Sequence, residues 1–326
     1  MKPIVRSLAV MSLAGLMAHP AVHAQAQAYP TQPIQLVIPY VPGGGSDSLA
    51  RVLAETMSAR LGQRIVPENK PGAATMLAAA QVARANPNGY TLLISTLAHS
   101  LNPSLQPQLP YDPVKDFEFI GKIGSFGFLL VTTPKMEVRN LQDLVARMRA
   151  QPGQLQFGSA GIGSPMHLGG EYLKHLTKTD AIHVPYKGEG AALTDLLGGH
   201  ISFMLCTVAT CAARVQDGSL KALAAPSPAR PALLPTVPTS AEAGLPGYEI
   251  YTWIFLAAPK GTPAPVVQRL DRALNEVLAD EKFRARVTAM GVDLETRSSP
   301  AATRQLVQAE IEKWRPVIKA SGITLN

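Results

Sequence analysis

IQLVIPYVPGGGSDSLARVLAETMSARLG, residues 34–62, predicts a buried strand, a glycine turn and an amphipathic helix in direct succession. The apolar run 34–40 is typical of a strand, and Pro39 and Pro42 mark the point where the chain leaves the sheet. The helix should begin near Ser46 and Asp47, which are good capping residues, and end at Gly62. One helix face is apolar because four residues recur at intervals of four: Leu49, Leu53, Met57 and Leu61.

The glycine turn predicts an anion site. Gly43, Gly44 and Gly45 lack Cβ atoms, so a ligand can approach the main chain, and the positive end of the helix dipole lies beside them. With the Ser46 hydroxyl, these backbone N–H groups would hold a carboxylate or phosphate. A tight connection with no ligand remains an alternative, and Asp47 would repel an anion unless its carboxylate points away as a cap.

The first 24 residues are interpreted as a secretory signal peptide. Lys2 and Arg6 precede a short apolar run, and small residues lead to a cleavage site near Ala24. No later run is long enough for a membrane helix, so we expect an exported periplasmic protein. The formal charge of +7 is scattered rather than gathered into one patch, which argues against nucleic acid as a partner.

Alternating strands and helices predict an α/β protein with two lobes, each built on a doubly wound sheet. Residues 34–96 read as β-α-β-α-β, and the pattern restarts after an extended apolar crossing at 117–133. A second apolar segment, 248–258, returns the chain to the first lobe. We therefore expect lobe 1 to comprise residues 29–129 and 253–326, and lobe 2 to comprise residues 130–252.

The strand, glycine turn and helix recur in the second half. Residues 155–158 form a predicted strand, and Ser164 with Pro165 is a strong helix start because proline loses no hydrogen bond there. Ligands of such sheets bind at the carboxyl ends of the strands. The expected binding residues are therefore Tyr40, Thr96 and His99 beside the first turn, and Ser159, Gly163 and Ser164 beside the second. His99 could instead be incidental.

No catalytic, metal or cofactor motif is present in the sequence, and we expect neither an enzyme nor a bound cofactor. Cys206 and Cys211 lack the spacing of zinc ligands, and either a disulfide or two free thiols remains open.

Segments along almost the whole chain carry a family resemblance. They are YP (29–30), PGG (42–44), ENKPG (68–72), NGYTL (88–92), LPYDPVKDF (109–117), GSAG (158–161), HVPYKG (183–188) and AEAGLPGYE (241–249). Through them the chain resembles the TctC-like (Bug) extracytoplasmic solute-binding proteins of tripartite tricarboxylate transporters. The resemblance implies a monomer with a type II periplasmic-binding-protein fold that closes, like a Venus flytrap, on a mono-, di- or tricarboxylate.

The resemblance also implies partners and further site residues. The partners would be the large and small membrane subunits of a tripartite transporter. Cys206 stands where these proteins often carry aspartate, just before Thr207, and this weakens an amino acid as the ligand. Fewer hydroxyls around Pro165 and Met166 indicate a ligand with an apolar or aromatic body.

Two other functions use the same cleft. A liganded receptor could dock on a periplasmic sensor domain, and uptake lost on deletion with signalling intact would favour transport. An exported hydrolase would show turnover that depends on Ser46 or Ser164.

Overall fold

The computed structural model describes residues 29–43, 45–106 and 108–323. Gly44 and the predicted signal peptide lie outside the described residues. Within them the chain forms eleven strands and ten α-helices. The strands are β1 (Ile34–Ile38), β2 (Ile65–Asn69), β3 (Thr91–Thr96), β4 (Phe117–Phe126), β5 (Phe128–Thr132), β6 (Gln156–Ser159), β7 (Ile182–Pro185), β8 (Phe203–Thr207), β9 (Lys221–Ala224), β10 (Thr252–Pro259) and β11 (Val292–Leu294). The helices are α1 (Gly45–Leu61), α2 (Met76–Ala83), α3 (Ala98–Leu105), α4 (Leu141–Ala150), α5 (Pro165–Thr177), α6 (Glu189–Gly198), α7 (Val208–Gln216), α8 (Ala264–Leu278), α9 (Glu281–Thr288) and α10 (Pro300–Ser321).

The strands form two sheets, one for each lobe. The first sheet has the order β11-β4-β10-β3-β1-β2, and the second has the order β7-β6-β8-β5-β9. Strands β1, β2 and β3 are parallel, as the β-α-β pattern predicts, but β10 is antiparallel to both β3 and β4. Strand β5 is likewise antiparallel to β8 and β9. Both sheets are therefore mixed, because the strands that enter from the other lobe run against their neighbours.

The two lobes are joined by two crossings of the chain. Strand β4 belongs to the first sheet and β5 to the second, with Gly127 alone between them. The return crossing runs from β9 to β10. A hydrophobic cluster that includes Phe128, Trp253 and Trp314 continues from one lobe into the other. Helix α10 contributes to it, since the Trp314 ring lies 5.3 Å from that of Tyr172 on α5.

The helix starts that bear on the site follow local sequence signals. The prediction for α5 is confirmed: Ser164 caps the helix by accepting a hydrogen bond from the His167 N–H, and Pro165 is the first helical residue. The alanine-rich segment from residue 73 onward predicts the second helix of the β-α-β-α-β pattern, but α2 begins only at Met76, because Ala73, Ala74 and Thr75 adopt left-handed backbone angles. In the described part of the chain, no helix combines the length and apolarity needed to cross a bilayer.

Candidate ligand-binding cleft

A cavity of about 340 Å³ lies between the lobes, at the carboxyl ends of the strands. The first sheet and its helices contribute Tyr40, Ser46, Ala74, Thr75, Thr96 and Ala98 to the wall. The second lobe contributes Ile162, Gly163, Ser164, Pro165, Met166 and Thr207. Six of the predicted site residues thus line one cavity although they come from both halves of the sequence: Tyr40, Ser46, Thr96, Gly163, Ser164 and Thr207.

Five helix N-termini converge on this cavity. Ser46 lies in the first turn of α1, Thr75 precedes α2, and Ala98 begins α3. Ser164 and Thr207 cap α5 and α7. The first N–H groups of a helix have no partner within the helix, and the helix dipole adds partial positive charge there. No charged side chain belongs to the described wall, so these N-termini dominate its electrostatics and favour an anion.

Asp47 does not line the cavity. Its carboxylate is buried and accepts hydrogen bonds from the Gly43 N–H (2.9 Å), Arg51 Nε (3.0 Å) and Asn69 Nδ2 (2.7 Å). Burial alone would raise its pKa, but hydrogen bonds from Arg51, Asn69 and Gly43 together lower the pKa to about 2. The charge of Asp47 is therefore neutralised within the loop. The Gly43 N–H serves this carboxylate and not a ligand, whereas Gly45 begins α1 beside the cavity.

Tyr40 and Thr96 form a hydroxyl pair on the first-lobe wall. Their oxygens are hydrogen bonded to each other, and Thr96 Oγ1 also accepts from the Ala98 N–H at 3.3 Å. Burial raises the pKa of Tyr40 to about 12, although the bond to Thr96 lowers it, so the phenol is neutral at physiological pH. The pair offers a ligand polar groups without net charge.

Ser159 supports the second-lobe loop from behind and does not reach the cavity. Its side chain is fully buried, donates to the Gly161 carbonyl (3.1 Å) and lies 2.7 Å from His183 Nε2. Ser164 Oγ donates to the same carbonyl at 2.7 Å. These bonds hold the loop that presents Gly163 and Ser164.

A stacked histidine pair lies under this loop, and no pattern in the sequence predicts it beyond the presence of the two residues. The rings of His167 and His183 are 3.5 Å apart and nearly parallel, and Gly163 N–H donates to His167 Nδ1 at 3.1 Å. Burial, the neighbouring histidine and Lys174 lower the pKa of His167 to about 3, while burial and Lys174 lower the pKa of His183 to about 4. Both rings are neutral in the folded protein, which permits them to stack.

The structure does not bring His99 to the cavity. The ring is fully buried among Tyr111, Phe117 and Phe255, and its Nε2 lies 2.9 Å from the Pro113 carbonyl. Burial lowers the pKa of His99 to about 4, despite the bond to Pro113. His99 is therefore a neutral core residue of the first lobe, the incidental role that its isolated position in the sequence left open.

Cys206 is also behind the wall. It is fully buried and bonded to Cys211 in a disulfide, so it presents no group to a ligand. Its neighbour Thr207 does line the cavity, and the disulfide joins β8 to the first turns of α7 next to it.

A strained turn forms another part of the wall. Ala73, Ala74 and Thr75 have φ angles of 45°, 48° and 79°, a region that residues with a Cβ atom rarely occupy. The buried Asn102 holds this turn, because its Nδ2 donates to the Ala74 carbonyl at 3.0 Å and lies 3.3 Å from Thr75 Oγ1. The turn was not predicted from the sequence, because alanine and threonine give no signal for a left-handed backbone conformation.

Two α/β lobes joined by two crossings, with an anion-favouring cavity between them, define a two-lobed solute-binding protein of the type II periplasmic-binding fold. The chain belongs to the tripartite tricarboxylate transporter receptor family, TctC, whose family model matches residues 49–323. This is a family of solute receptors rather than enzymes.

Individual relatives are similar over nearly their full length. Protein BugT of Bordetella pertussis is 34% identical over 325 residues, which cover 99% of each chain. MatC from Rhodopseudomonas palustris, solved with bound malate, is 34% identical with a TM-score of 0.75, and the alignment covers 89% of this chain and 100% of that one. The R. palustris protein Rpa4515, solved with adipate, is 32% identical with a TM-score of 0.78, covering 91% and 99%.

Proposed function

We propose that this protein captures a small organic carboxylate in the cavity between its lobes and delivers it to the membrane subunits of a tripartite transporter. The observation that carries the proposal is the convergence of five helix N-termini on a wall without a charged side chain among its described residues. A carboxylate is the small solute group that such a wall would stabilise best, with roughly 0.3–1 kcal/mol from each helix end. The malate and adipate bound by the two R. palustris relatives support this ligand class.

Six positions would contact the ligand. Gly45, Ser46 and Thr96 would hold its carboxylate from the first lobe. Gly163, Ser164 and Thr207 line the cavity on the second lobe and would contact the rest of the ligand. Gly44 belongs to the same proposed site but is not among the described residues. Residues 29–129 and 253–326 would then move as one lobe and residues 130–252 as the other, so that closure signals occupancy to the transporter.

The protein would act in the periplasm as a monomer. The features that support the periplasmic location are the similarity to solved periplasmic proteins and the predicted signal peptide over residues 1–24, cleaved near Ala24.

A charge placed at the site tests the proposal. Ser46→Asp puts a carboxylate in the first turn of α1, where it would repel a bound carboxylate yet suit the helix dipole. Two like charges about 5 Å apart at an effective dielectric constant of about 20 repel by about 3 kcal/mol, which corresponds to roughly a 100-fold loss of affinity. Ser46→Asn is the matched neutral control and should bind within a few-fold of the wild type.

The measurement is isothermal titration calorimetry of refolded, ligand-free mature protein against mono-, di- and tricarboxylates. We expect at least one acid to bind, and Ser46→Asp to lose that binding while its melting temperature is unchanged or raised. If no carboxylate binds folded protein, or if Ser46→Asp binds as well as Ser46→Asn, the proposal is wrong. Loss of uptake of the bound acid on deletion of the gene would then test delivery to the transporter.

A further inference from the structure

One of the five helix N-termini at the cavity is already occupied by an anion of the protein itself. Glu189, the first residue of α6, places its carboxylate at the start of α7. Its Oε1 accepts from the Thr207 N–H at 2.5 Å, and both oxygens lie 3.1 Å from Thr207 Oγ1. Thr210 Oγ1 lies 3.1 Å from Oε2. Every partner of this carboxylate is a donor, and Thr207 is the residue that lines the cavity.

This arrangement removes the N-terminus of α7, called here the α7 corner, from the possible anion sites of the cavity. The Thr207 N–H and hydroxyl, which would otherwise serve a ligand oxygen, are committed to Glu189. A ligand carboxylate near Thr207 would therefore find no free donor there, and the Glu189 carboxyl group would lie one side chain away. Burial raises the pKa of Glu189, whereas the hydrogen bonds from Thr207 and Thr210 favour its charged form. The attraction of the cavity for anions is thus confined to the corners formed by the other helices.

The remainder of the second-lobe wall is apolar. Ile162, Pro165 and Met166 line it, together with Phe128 at the start of β5. The described wall offers no lysine or arginine to pair with a second carboxylate. Burying a carboxylate against such a surface without a partner is costly, whereas a hydrocarbon or aromatic body gains from contact with it.

An ammonium group fits this corner no better. The two oxygens of Glu189 already accept from three donors, and Glu189 itself does not line the cavity. A zwitterion would bury its ammonium group without a free carboxylate to receive it.

We infer, on the basis of the function proposed above, that the ligand is a monocarboxylate whose uncharged apolar body lies towards Thr207, and that Glu189 disfavours a second carboxylate at that end of the cavity. This distinguishes the chain from its two relatives solved with malate and adipate. Glu189 acts here through Thr207 and sets specificity without touching the ligand.

Matched acids of equal chain length provide the test. Hexanoate, adipate and 6-aminohexanoate differ only at the end of a six-carbon chain, and benzoate and terephthalate form an aromatic pair. Calorimetry on refolded wild-type protein should show each monocarboxylate binding at least tenfold more tightly than its dicarboxylate partner, and 6-aminohexanoate no more tightly than adipate.

Glu189→Gln isolates the charge. Glutamine keeps an acceptor for the Thr207 N–H, so adipate should bind at least fivefold more tightly to this variant while hexanoate changes less than twofold. Glu171→Gln is the matched control in the same lobe, because Glu171 pairs with Lys174 outside the cavity wall. It should change neither affinity.

The outcomes separate the two claims. If adipate or terephthalate binds the wild type as tightly as its monocarboxylate partner, this inference is wrong and the proposed function stands. If no acid binds, the proposed function is wrong and the inference fails with it. If the wild type prefers monocarboxylates and a folded Glu189→Gln variant keeps that preference unchanged, the role of Glu189 is overturned. The wild-type comparison needs no variant to fold.

Discussion

Replacement of Asp47 by asparagine should destabilise the protein by about 2 kcal/mol at neutral pH. The pKa of this carboxyl falls from 3.8 to about 2 on folding. A difference of roughly 1.8 units at about 1.4 kcal/mol per unit amounts to about 2.5 kcal/mol. We round this down because the Arg51 side chain is 47% exposed, so water screens part of the ion pair, whereas Asp47 is 3% exposed.

The geometry explains why asparagine cannot substitute. Asp47 Oδ2 accepts from both the Gly43 N–H and Arg51, and Oδ1 accepts from Asn69. An asparagine side chain at this position would place its NH₂ group against at least one of these donors, which leaves that donor buried without a partner. The glycine loop at the start of α1 would then lose its anchor.

Urea denaturation at pH 7 and pH 3, followed by tryptophan fluorescence and circular dichroism, measures the effect. A carboxyl whose pKa is lowered by folding contributes stability that is complete above its unfolded pKa of 3.8 and is lost as pH falls through about 2. The difference between Asp47→Asn and wild type should therefore shrink by about 1 kcal/mol at pH 3. Asp143→Asn, which breaks the exposed pair with Arg139, is the control and should cost less.

Two results would refute this reasoning. One is a loss below about 0.5 kcal/mol at pH 7, which would mean that the buried network contributes no more than an exposed pair. The other is a loss that does not change with pH, which would assign the effect to packing rather than to the charge of Asp47.

Three further predictions concern residues behind the wall. Asn102→Ala removes the hydrogen bond to the Ala74 carbonyl that holds the strained turn, so it should lower the free energy of unfolding by about 2 kcal/mol and weaken ligand binding several-fold. An unchanged free energy of unfolding in urea and an unchanged affinity by calorimetry would contradict this prediction. The Cys206–Cys211 disulfide closes a short loop, so its reduction should lower the free energy of unfolding in urea by at most about 2 kcal/mol. Thiol titration of the unreduced protein in denaturant should find no free thiol. The pKa of His99 is about 4 in the folded protein and 6.5 ordinarily, so this residue contributes a loss of stability of up to about 1.4 kcal/mol per pH unit as pH drops from about 6.5 towards 4. The pKa values of His167 and His183 are also lowered, so His99→Gln should retain part of the pH dependence but with a smaller slope than the wild type, and an equal slope would contradict the prediction.

Local signals were sufficient for the elements that build the site. The apolar run, the glycines and the capping residues that define β1 and α1 all lie within one continuous stretch, and Ser164 with Pro165 marks the start of α5 within two residues. Helix starts and strand ends depend on backbone groups a few positions away, so the sequence carries them directly. The succession of strand, glycine turn and helix occurs in both halves of the sequence, which indicated that a ligand would lie between two lobes.

Contacts between distant residues determine which candidate side chains reach the cavity. His99 and Ser159 lie at or just after the carboxyl ends of strands, positions typical of ligand-binding residues. Yet His99 packs against Phe255 and Ser159 contacts His183, and both are buried. The orientation of Asp47 depends on Asn69, 22 residues away, and the occupied N-terminus of α7 depends on Glu189, 18 residues before Thr207.

The two lobes, the N-termini of α1 and α5 and the family could be predicted from the chain alone, because short-range patterns encode them. The number of helix N-termini that remain free for a ligand could not be predicted in this way. It depends on side chains such as Glu189 and Asp47, whose partners come from separate elements and meet them only when the chain folds.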